Sequence, residues 1–129
     1  MDNNQILILL VDDDPLITRM YQLYLSREGF RVKEVPNGAD AIIEAKKEKP
    51  NIVFLDIMMP KMNGVETLKS FKNDSILKDI PIIMLTNLGD KKDDIENAKS
   101  LGAADYLVKS DIRLQDLSER VKSILNTQP

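Results

Sequence analysis

Short apolar runs alternate along this chain with longer stretches whose apolar residues recur at helical spacing. Runs that are apolar at every position are typical of strands buried on both faces, as in a parallel sheet. The pattern predicts five strands: Ile6–Val11, Phe30–Val35, Ile52–Leu55, Ile80–Leu85 and Ala104–Val108. We expect the second strand to be the more exposed, because its residues alternate in part between apolar and charged.

The stretches between and after these runs predict five helices: Pro15–Arg27, Ala39–Lys49, Val65–Lys72, Lys92–Leu101 and Ile112–Leu125. Asp14 before Pro15 is typical of an N-cap followed by proline at the first helical position. Apolar residues at helical spacing predict the buried face of the first helix: Leu16, Met20, Leu23 and Tyr24.

Strands that alternate with helices indicate parallel βαβ units with right-handed crossovers. Five units are too few for an eight-stranded barrel. We therefore predict an α/β protein with a flavodoxin-like, doubly wound sheet in the strand order 2-1-3-4-5 and five helices. A length of 129 residues fits a single domain, 1–129, with its core at about 6–125. We expect no output domain in this chain.

The chain contains neither Cys nor His, which excludes disulfides, imidazole ligands and a Ser-His-Asp triad. Its chemistry must come from carboxylates, hydroxyls, lysines and backbone groups. A net charge of -3 makes direct nucleic-acid binding unexpected, because phosphate affinity needs clustered cations. No apolar run is long enough to span a membrane, and the N-terminus lacks a signal peptide pattern. We expect a cytoplasmic protein.

Charged and hydroxyl side chains follow the predicted strands, where ligands of open α/β sheets bind. Asp12 and Asp13 follow the first strand and Asp56 the third, while Thr86 and Lys109 end the fourth and fifth. We expect the three carboxylates to converge, because strands one and three are neighbours in the predicted order. Two carboxylates about 4 Å apart repel by roughly 4 kcal/mol at an effective dielectric of 20. Mg²⁺ relieves such repulsion, since it prefers oxygen ligands.

The chain resembles the receiver domain of two-component response regulators from Ile6 to about Leu125. Four segments carry this resemblance: Leu9–Pro15, Phe54–Gly64, Pro81–Thr86 and Gly102–Lys109. The resemblance implies that Asp56 accepts a phosphoryl group in a Mg²⁺-dependent step. The donor would be a sensor histidine kinase or a histidine phosphotransfer protein, which supplies the imidazole that this chain lacks. It implies no enzyme activity beyond self-phosphorylation and self-dephosphorylation.

The resemblance also implies the ligands of the metal. Asp13, Asp56 and the backbone carbonyl of Met58 would bind Mg²⁺ directly, and Asp12 would act mainly through water. Lys109 would pair with the phosphate.

A switch is implied as well. Thr86 would hydrogen-bond a phosphoryl oxygen, and Tyr106 would repack behind it. The surface of the fourth helix, fifth strand and fifth helix would then change for an unknown downstream protein or for a homodimer.

Two departures from the family pattern, at Ser110 and Asn87, affect these expectations, and two further positions bear on phosphate lifetime. Ser110 follows Lys109 where the family usually has proline, so the bond is either trans or a cis bond that costs roughly 2.5–4 kcal/mol. Asn87 occupies a position where the family favours a small residue, and the amide would shield or hydrogen-bond the phosphate. Met58 and Leu88 are apolar where the family tunes phosphate lifetime, which predicts slow self-dephosphorylation.

Two other functions remain open at this point. Asp12 and Asp14 have the Asp-x-Asp spacing of haloacid-dehalogenase-type phosphatases, which use an aspartate nucleophile, although the chain is short and Leu16 departs from that motif. Alternatively, the chain is a phosphorylation-independent interaction module with the receiver fold. An FMN carrier is less favoured, because aromatic residues make up only 5% of the chain.

Overall fold

The computed structural model describes residues 2–59, 62–87 and 90–126. Five parallel strands form one sheet: β1 (Leu7–Val11), β2 (Arg31–Val35), β3 (Ile52–Asp56), β4 (Ile82–Thr86) and β5 (Asp105–Val108). The helices are α1 (Pro15–Arg27), α2 (Gly38–Lys47), α3 (Gly64–Asn73), α4 (Lys92–Ser100) and α5 (Leu114–Asn126). The strand order β2-β1-β3-β4-β5 confirms the predicted α/β, flavodoxin-like topology. Within these described ranges, no helix has the length and apolar content needed to cross a membrane.

Helices cover both faces of the sheet. β1, β3 and β4 are buried at every position, whereas β2 is partly exposed, as expected. Alternate residues of a strand point to opposite faces, so the apolar runs build two cores. Ile8 and Phe54 belong to the core under α1 and α5, while Leu9 and Leu55 belong to the core under α2, α3 and α4.

Most predicted boundaries lie within a few residues of the observed ones. α1 has its predicted limits, and the Asp14 carboxylate accepts hydrogen bonds from the backbone N–H groups of Leu16 and Ile17 at 3.0 and 3.4 Å. β4 begins at Ile82 rather than two residues earlier, because Pro81 has no N–H to donate to a ladder. The Pro81 carbonyl still accepts a hydrogen bond from Val53 at 3.1 Å.

The predicted buried face of α1 is wrong. The buried residues are Thr18, Tyr21 and Leu25. The predicted residues are largely exposed: Leu16 by 81%, Met20 by 48% and Leu23 by 48%, with Tyr24 half-buried. Apolar side chains occupy more than one side of this helix, so periodicity alone does not select a face. Thr18 tolerates burial because its hydroxyl donates to the carbonyls of Asp14 and Pro15, both at 3.2 Å.

Gly64 fixes the chain after β3 against the end of that strand. Its N–H donates to the Ile57 carbonyl at 2.7 Å. A Cβ atom at position 64 would lie 2.2 Å from the backbone oxygen of Asp56 and 2.6 Å from Ile57 Cα. Since both neighbours are backbone atoms, a side chain there would displace the segment that carries Asp56.

We expect Gly64→Ala to lower the free energy of unfolding by roughly 3 kcal/mol, because its methyl group overpacks backbone atoms. Gly102→Ala is the control, since Gly102 has a φ of +94° but a Cβ atom there would make only an ordinary van der Waals contact, with Lys72 Cε at 3.9 Å. That change should cost only roughly 1–2 kcal/mol, for its left-handed conformation. Urea denaturation measures both, and equal losses would contradict the proposed close approach.

Candidate functional site

Three carboxylates meet where β1 and β3 end. The two strands are neighbours, with Val11 opposite Leu55, so Asp12 and Asp13 come beside Asp56. One oxygen from each of the three lies within 4.8 Å of the others. Asp12 and Asp56 are buried, with 4% and 2% exposure, whereas Asp13 is exposed. The cluster therefore opens to solvent on the side of Asp13.

Lys109 extends into this cluster from the end of β5. Its Nζ lies 2.7 Å from Asp12 Oδ2 and 3.1 Å from Asp56 Oδ2. The Lys109–Ser110 bond is trans, so the absence of proline does not keep the lysine from the carboxylates. Although burial alone lowers the pKa of Lys109, its contacts with both carboxylates outweigh burial and raise that pKa. Lys109 is therefore a charged counter-ion in this site.

One ammonium does not neutralise the carboxylate cluster. Burial, followed by repulsion from Asp12, raises the pKa of Asp56 to about 7 despite the opposing Lys109. Asp12 Oδ2 is buried without a hydrogen bond of good geometry, although the Lys109 ammonium lies close to it as an ion pair. A set of oxygen donors that lacks positive charge fits a hard divalent cation such as Mg²⁺.

The backbone that follows β3 donates a hydrogen bond to the Asp56 side chain. The Met58 N–H donates to Asp56 Oδ1 at 3.3 Å, which brings the Met58 peptide to the edge of the cluster, while the Met58 side chain is 48% exposed. Leu88 lies outside the described residues.

Thr86 and Tyr106 connect the site to the far edge of the sheet. Thr86 is buried at the end of β4, and its hydroxyl donates to the Leu107 carbonyl of β5 at 3.4 Å. Tyr106, the preceding residue of β5, is 41% exposed. Asn87 is exposed, and its N–H donates to Asp90 Oδ2 at 2.7 Å.

Known proteins share this architecture. The family model of the response regulator receiver domain matches residues 8–122. The chain belongs to the response regulator receiver domain family. Its relatives include response regulators, and its structural neighbours include receivers of the chemotaxis type.

Three proteins illustrate the similarity of this receiver domain to others. The "Probable transcriptional regulator ycf27" of Porphyra purpurea is 39% identical over 97% of this chain and 49% of its own length. The alkaline phosphatase synthesis transcriptional regulatory protein PhoP of Bacillus subtilis is 36% identical over 92% of this chain and 48% of its own. The solved structure of Vibrio cholerae chemotaxis protein CheY4 has a TM-score of 0.82 at 28% identity, over 92% of this chain and 97% of that one. The receiver domain thus spans about half the length of the curated relatives that it matches.

Sequence reasoning missed one buried group near the site of this receiver domain. Burial raises the pKa of Tyr21 on α1, and electrostatic contributions from Lys109, Asp12 and Asp56 also act on it. The signal was present in the sequence, because Thr18, Tyr21 and Leu25 recur at helical spacing. The more apolar residues Leu16, Met20 and Leu23 also recur at helical spacing on this helix, and they led to the wrong choice of buried face.

The structure uses Asp14 as the N-cap of α1. Its carboxylate is occupied by the first turn of α1, where it caps two N–H groups. The Asp-x-Asp arrangement of a phosphatase therefore has no support from the position of Asp14.

We expect Asp56→Asn to stabilise the metal-free receiver domain. A folded-state pKa raised from 3.8 to about 7 means that this carboxyl destabilises the fold increasingly as pH rises from about 4 to 7. At pH 8 without divalent cations, the variant should therefore exceed the wild type by roughly 1–3 kcal/mol in the free energy of unfolding. At pH 5 the difference should be smaller.

Urea denaturation at both pH values measures this effect. Asp13→Asn is the matched control, because Asp13 is the exposed member of the cluster and should give a smaller gain. Saturating Mg²⁺ should reduce the gain from Asp56→Asn. A wild type at least as stable as the variant at pH 8 would contradict the prediction.

Proposed function

We propose that this receiver domain accepts a phosphoryl group on Asp56 from a phosphohistidine of a sensor kinase or phosphotransfer protein. The observation that carries the proposal is a buried Asp56 beside two further carboxylates, with Lys109 Nζ 3.1 Å away. An Asp56 oxygen attacks phosphorus, so a P–O bond forms while the P–N bond of the donor breaks. The electron pair of that P–N bond goes to the imidazole nitrogen, which takes up a proton.

The surrounding residues have separate tasks in this step. Asp12, Asp13, Asp56 and the Met58 carbonyl would hold Mg²⁺. When bound, the ion supplies positive charge that neutralises phosphoryl oxygens and orients them for in-line transfer. Lys109 lies within reach of the Asp56 carboxylate, so its ammonium pairs with the phosphoryl group once that carboxylate has become an acyl phosphate.

The Thr86 hydroxyl links phosphorylation to a surface change. It now donates to the Leu107 carbonyl, and a phosphoryl oxygen on Asp56 is a stronger, charged acceptor. When the hydroxyl turns to that oxygen, space opens beside β5 and Tyr106 moves inward. The surface of α4, β5 and α5 then has a different shape for a downstream protein or a second copy of the chain.

The donor protein must approach the exposed side of the cluster. Asp13 lies there, and α1 begins two residues later with Leu16 81% exposed and Met20 48% exposed. Arg19 and Arg27 flank this apolar face. We propose that helices of the histidine-bearing partner dock against it, with acidic residues opposite the two arginines.

The relatives' printed names describe transcriptional regulators. We propose that this receiver domain does not itself contact DNA, because its net charge is -3 and DNA affinity depends on phosphate neutralisation by cations. We also propose that it is not an enzyme for external substrates, since its nucleophile would retain the phosphoryl group as a signal.

Acetyl phosphate tests phosphoryl transfer without the partner kinase. With Mg²⁺, intact mass should increase by one phosphoryl group in the wild type and remain unchanged in Asp56→Asn. Excess EDTA should abolish the adduct, because the phosphoryl charge is then not neutralised.

Asp93→Asn is the control variant, since it makes the same chemical change on the first turn of α4 and should leave the adduct intact. The same preparation should not hydrolyse p-nitrophenyl phosphate. An adduct that persists in Asp56→Asn would reject Asp56 as the acceptor, and rapid hydrolysis of the ester would favour a phosphatase.

We expect slow self-dephosphorylation, with a half-life well above seconds, because the apolar Met58 side chain cannot orient an attacking water. Met58→Gln should shorten the phosphate lifetime several-fold, since its amide can position water near phosphorus. Met20→Gln is the matched control, because Met20 and Met58 are equally exposed, at 48%. Decay of the phosphorylated mass over time measures all three proteins, and a wild-type half-life of seconds would contradict the expectation.

A further inference from the structure

The Tyr106 ring has a cationic partner on α4. Lys99 Nζ lies 4.5 Å from the centroid of the Tyr106 ring, a distance at which an ammonium is attracted to the negative face of an aromatic ring. Tyr106 is 41% exposed, so the ring is in its outward position. The contact therefore belongs to this orientation of the ring.

α4 makes few other buried contacts with the rest of the domain, so the contact between Lys99 and Tyr106 is a substantial part of what holds this helix to β5. Ala98 is its only buried residue, whereas the other four helices each bury three or more. Ile95 and Leu101 add partly buried contacts to the core. A side-chain contact between Lys99 and β5 thus ties the least buried helix to the strand that adjoins Thr86.

The same strand is connected to the phosphoryl site. Thr86 pairs with Val108 and Met84 with Tyr106 across β4 and β5, and the Thr86 hydroxyl donates to the Leu107 carbonyl between them. If the hydroxyl leaves that carbonyl for a phosphoryl oxygen, the backbone beside Tyr106 loses a donor. An inward movement of the ring would at the same time separate it from Lys99.

We propose that Lys99 is a positioning residue that holds Tyr106 outward and so opposes the switch in this receiver domain. The inference rests on the proposed phosphoryl acceptance by Asp56 and adds a regulator of it. A contact present in only one of two states favours that state by its own free energy. Loss of an exposed cation–π contact should therefore shift the equilibrium by ~2–5-fold toward the inward state.

The test uses beryllofluoride with Mg²⁺ as a stable phosphoryl mimic and titration calorimetry on the whole chain. Lys99→Met removes the cation but keeps an apolar stem, and should tighten beryllofluoride binding by ~2–5-fold. Lys99→Arg keeps the cation and should bind like the wild type. Lys69→Met makes the same charge change on an exposed position of α3 and should also leave the affinity unchanged.

A double-mutant cycle separates the ring contact from a general charge effect. In a Tyr106→Leu background, Lys99→Met should no longer change the affinity. Equal affinities of wild type and Lys99→Met, a matching gain in Lys69→Met, or a gain that persists without the ring would each overturn the role of Lys99. Wild-type protein that binds no beryllofluoride would overturn the proposed function as well, which distinguishes the two failures.

Because the chain has no Trp and three Tyr, tyrosine fluorescence gives an independent measure. Tyr21 is buried and Tyr24 half-buried, so acrylamide should quench mainly the fluorescence of Tyr106. The difference in quenching between the wild type and Tyr106→Phe therefore measures the exposure of the Tyr106 ring. Beryllofluoride should reduce this quenching as the ring moves inward, and should do so at lower concentration in Lys99→Met. Unchanged quenching at saturation would show that the ring does not move and would overturn the proposal.

Discussion

Burial of two carboxylates beside one ammonium is the constraint on which the site depends. Asp12 and Asp56 are withdrawn from water at the end of adjacent strands, and Lys109 lies within 3.1 Å of both. Unpaired burial of a charge is strongly unfavourable, so the lysine offsets part of the cost of burying these carboxylates. One ammonium leaves the cluster short of positive charge, which is the physical basis for its fit to Mg²⁺.

Close backbone packing holds these buried carboxylates in place although their mutual repulsion is unfavourable. The end of β3 is held in place by the close approach of Gly64, whose missing side chain leaves room for the Asp56 backbone. The other end of the site is less constrained, because the Thr86 side chain is held to β5 by a long hydrogen bond of 3.4 Å. A rigidly held Asp56 carboxylate beside an adaptable hydroxyl is an arrangement in which added charge can change packing elsewhere.

β5 is the element through which the proposed change would reach the surface. Lys109 follows its last residue, Leu107 accepts the Thr86 hydrogen bond, and Tyr106 meets Lys99 of α4. Asp105 at its start forms an ion pair with Arg120 of α5. A four-residue strand thus contacts the site and both flanking helices, so a small displacement of its backbone affects the whole edge of the sheet.

Much of the fold was predictable from local pattern, and so were the residues at the strand ends. The runs that became β1, β3 and β4 are apolar throughout because both of their faces are covered, and this alone indicates a parallel sheet. Asp14 and Pro15 marked the start of α1 correctly. The buried face of α1 was not predictable, because Leu16 and Met20 are as apolar as the core residues while Thr18 is polar and yet buried.

The sequence by itself determined the order of strands and helices, the absence of thiol and imidazole chemistry, and the carboxylates that follow β1 and β3. Only the tertiary structure decided that Lys109 pairs more closely with Asp12 than with Asp56, that Tyr21 is buried near the site, and that Lys99 lies over Tyr106. The reason is physical. Periodicity and strand ends are encoded by neighbours in the chain, whereas ion pairs and ring contacts join residues that only the packing of helices against the sheet brings together.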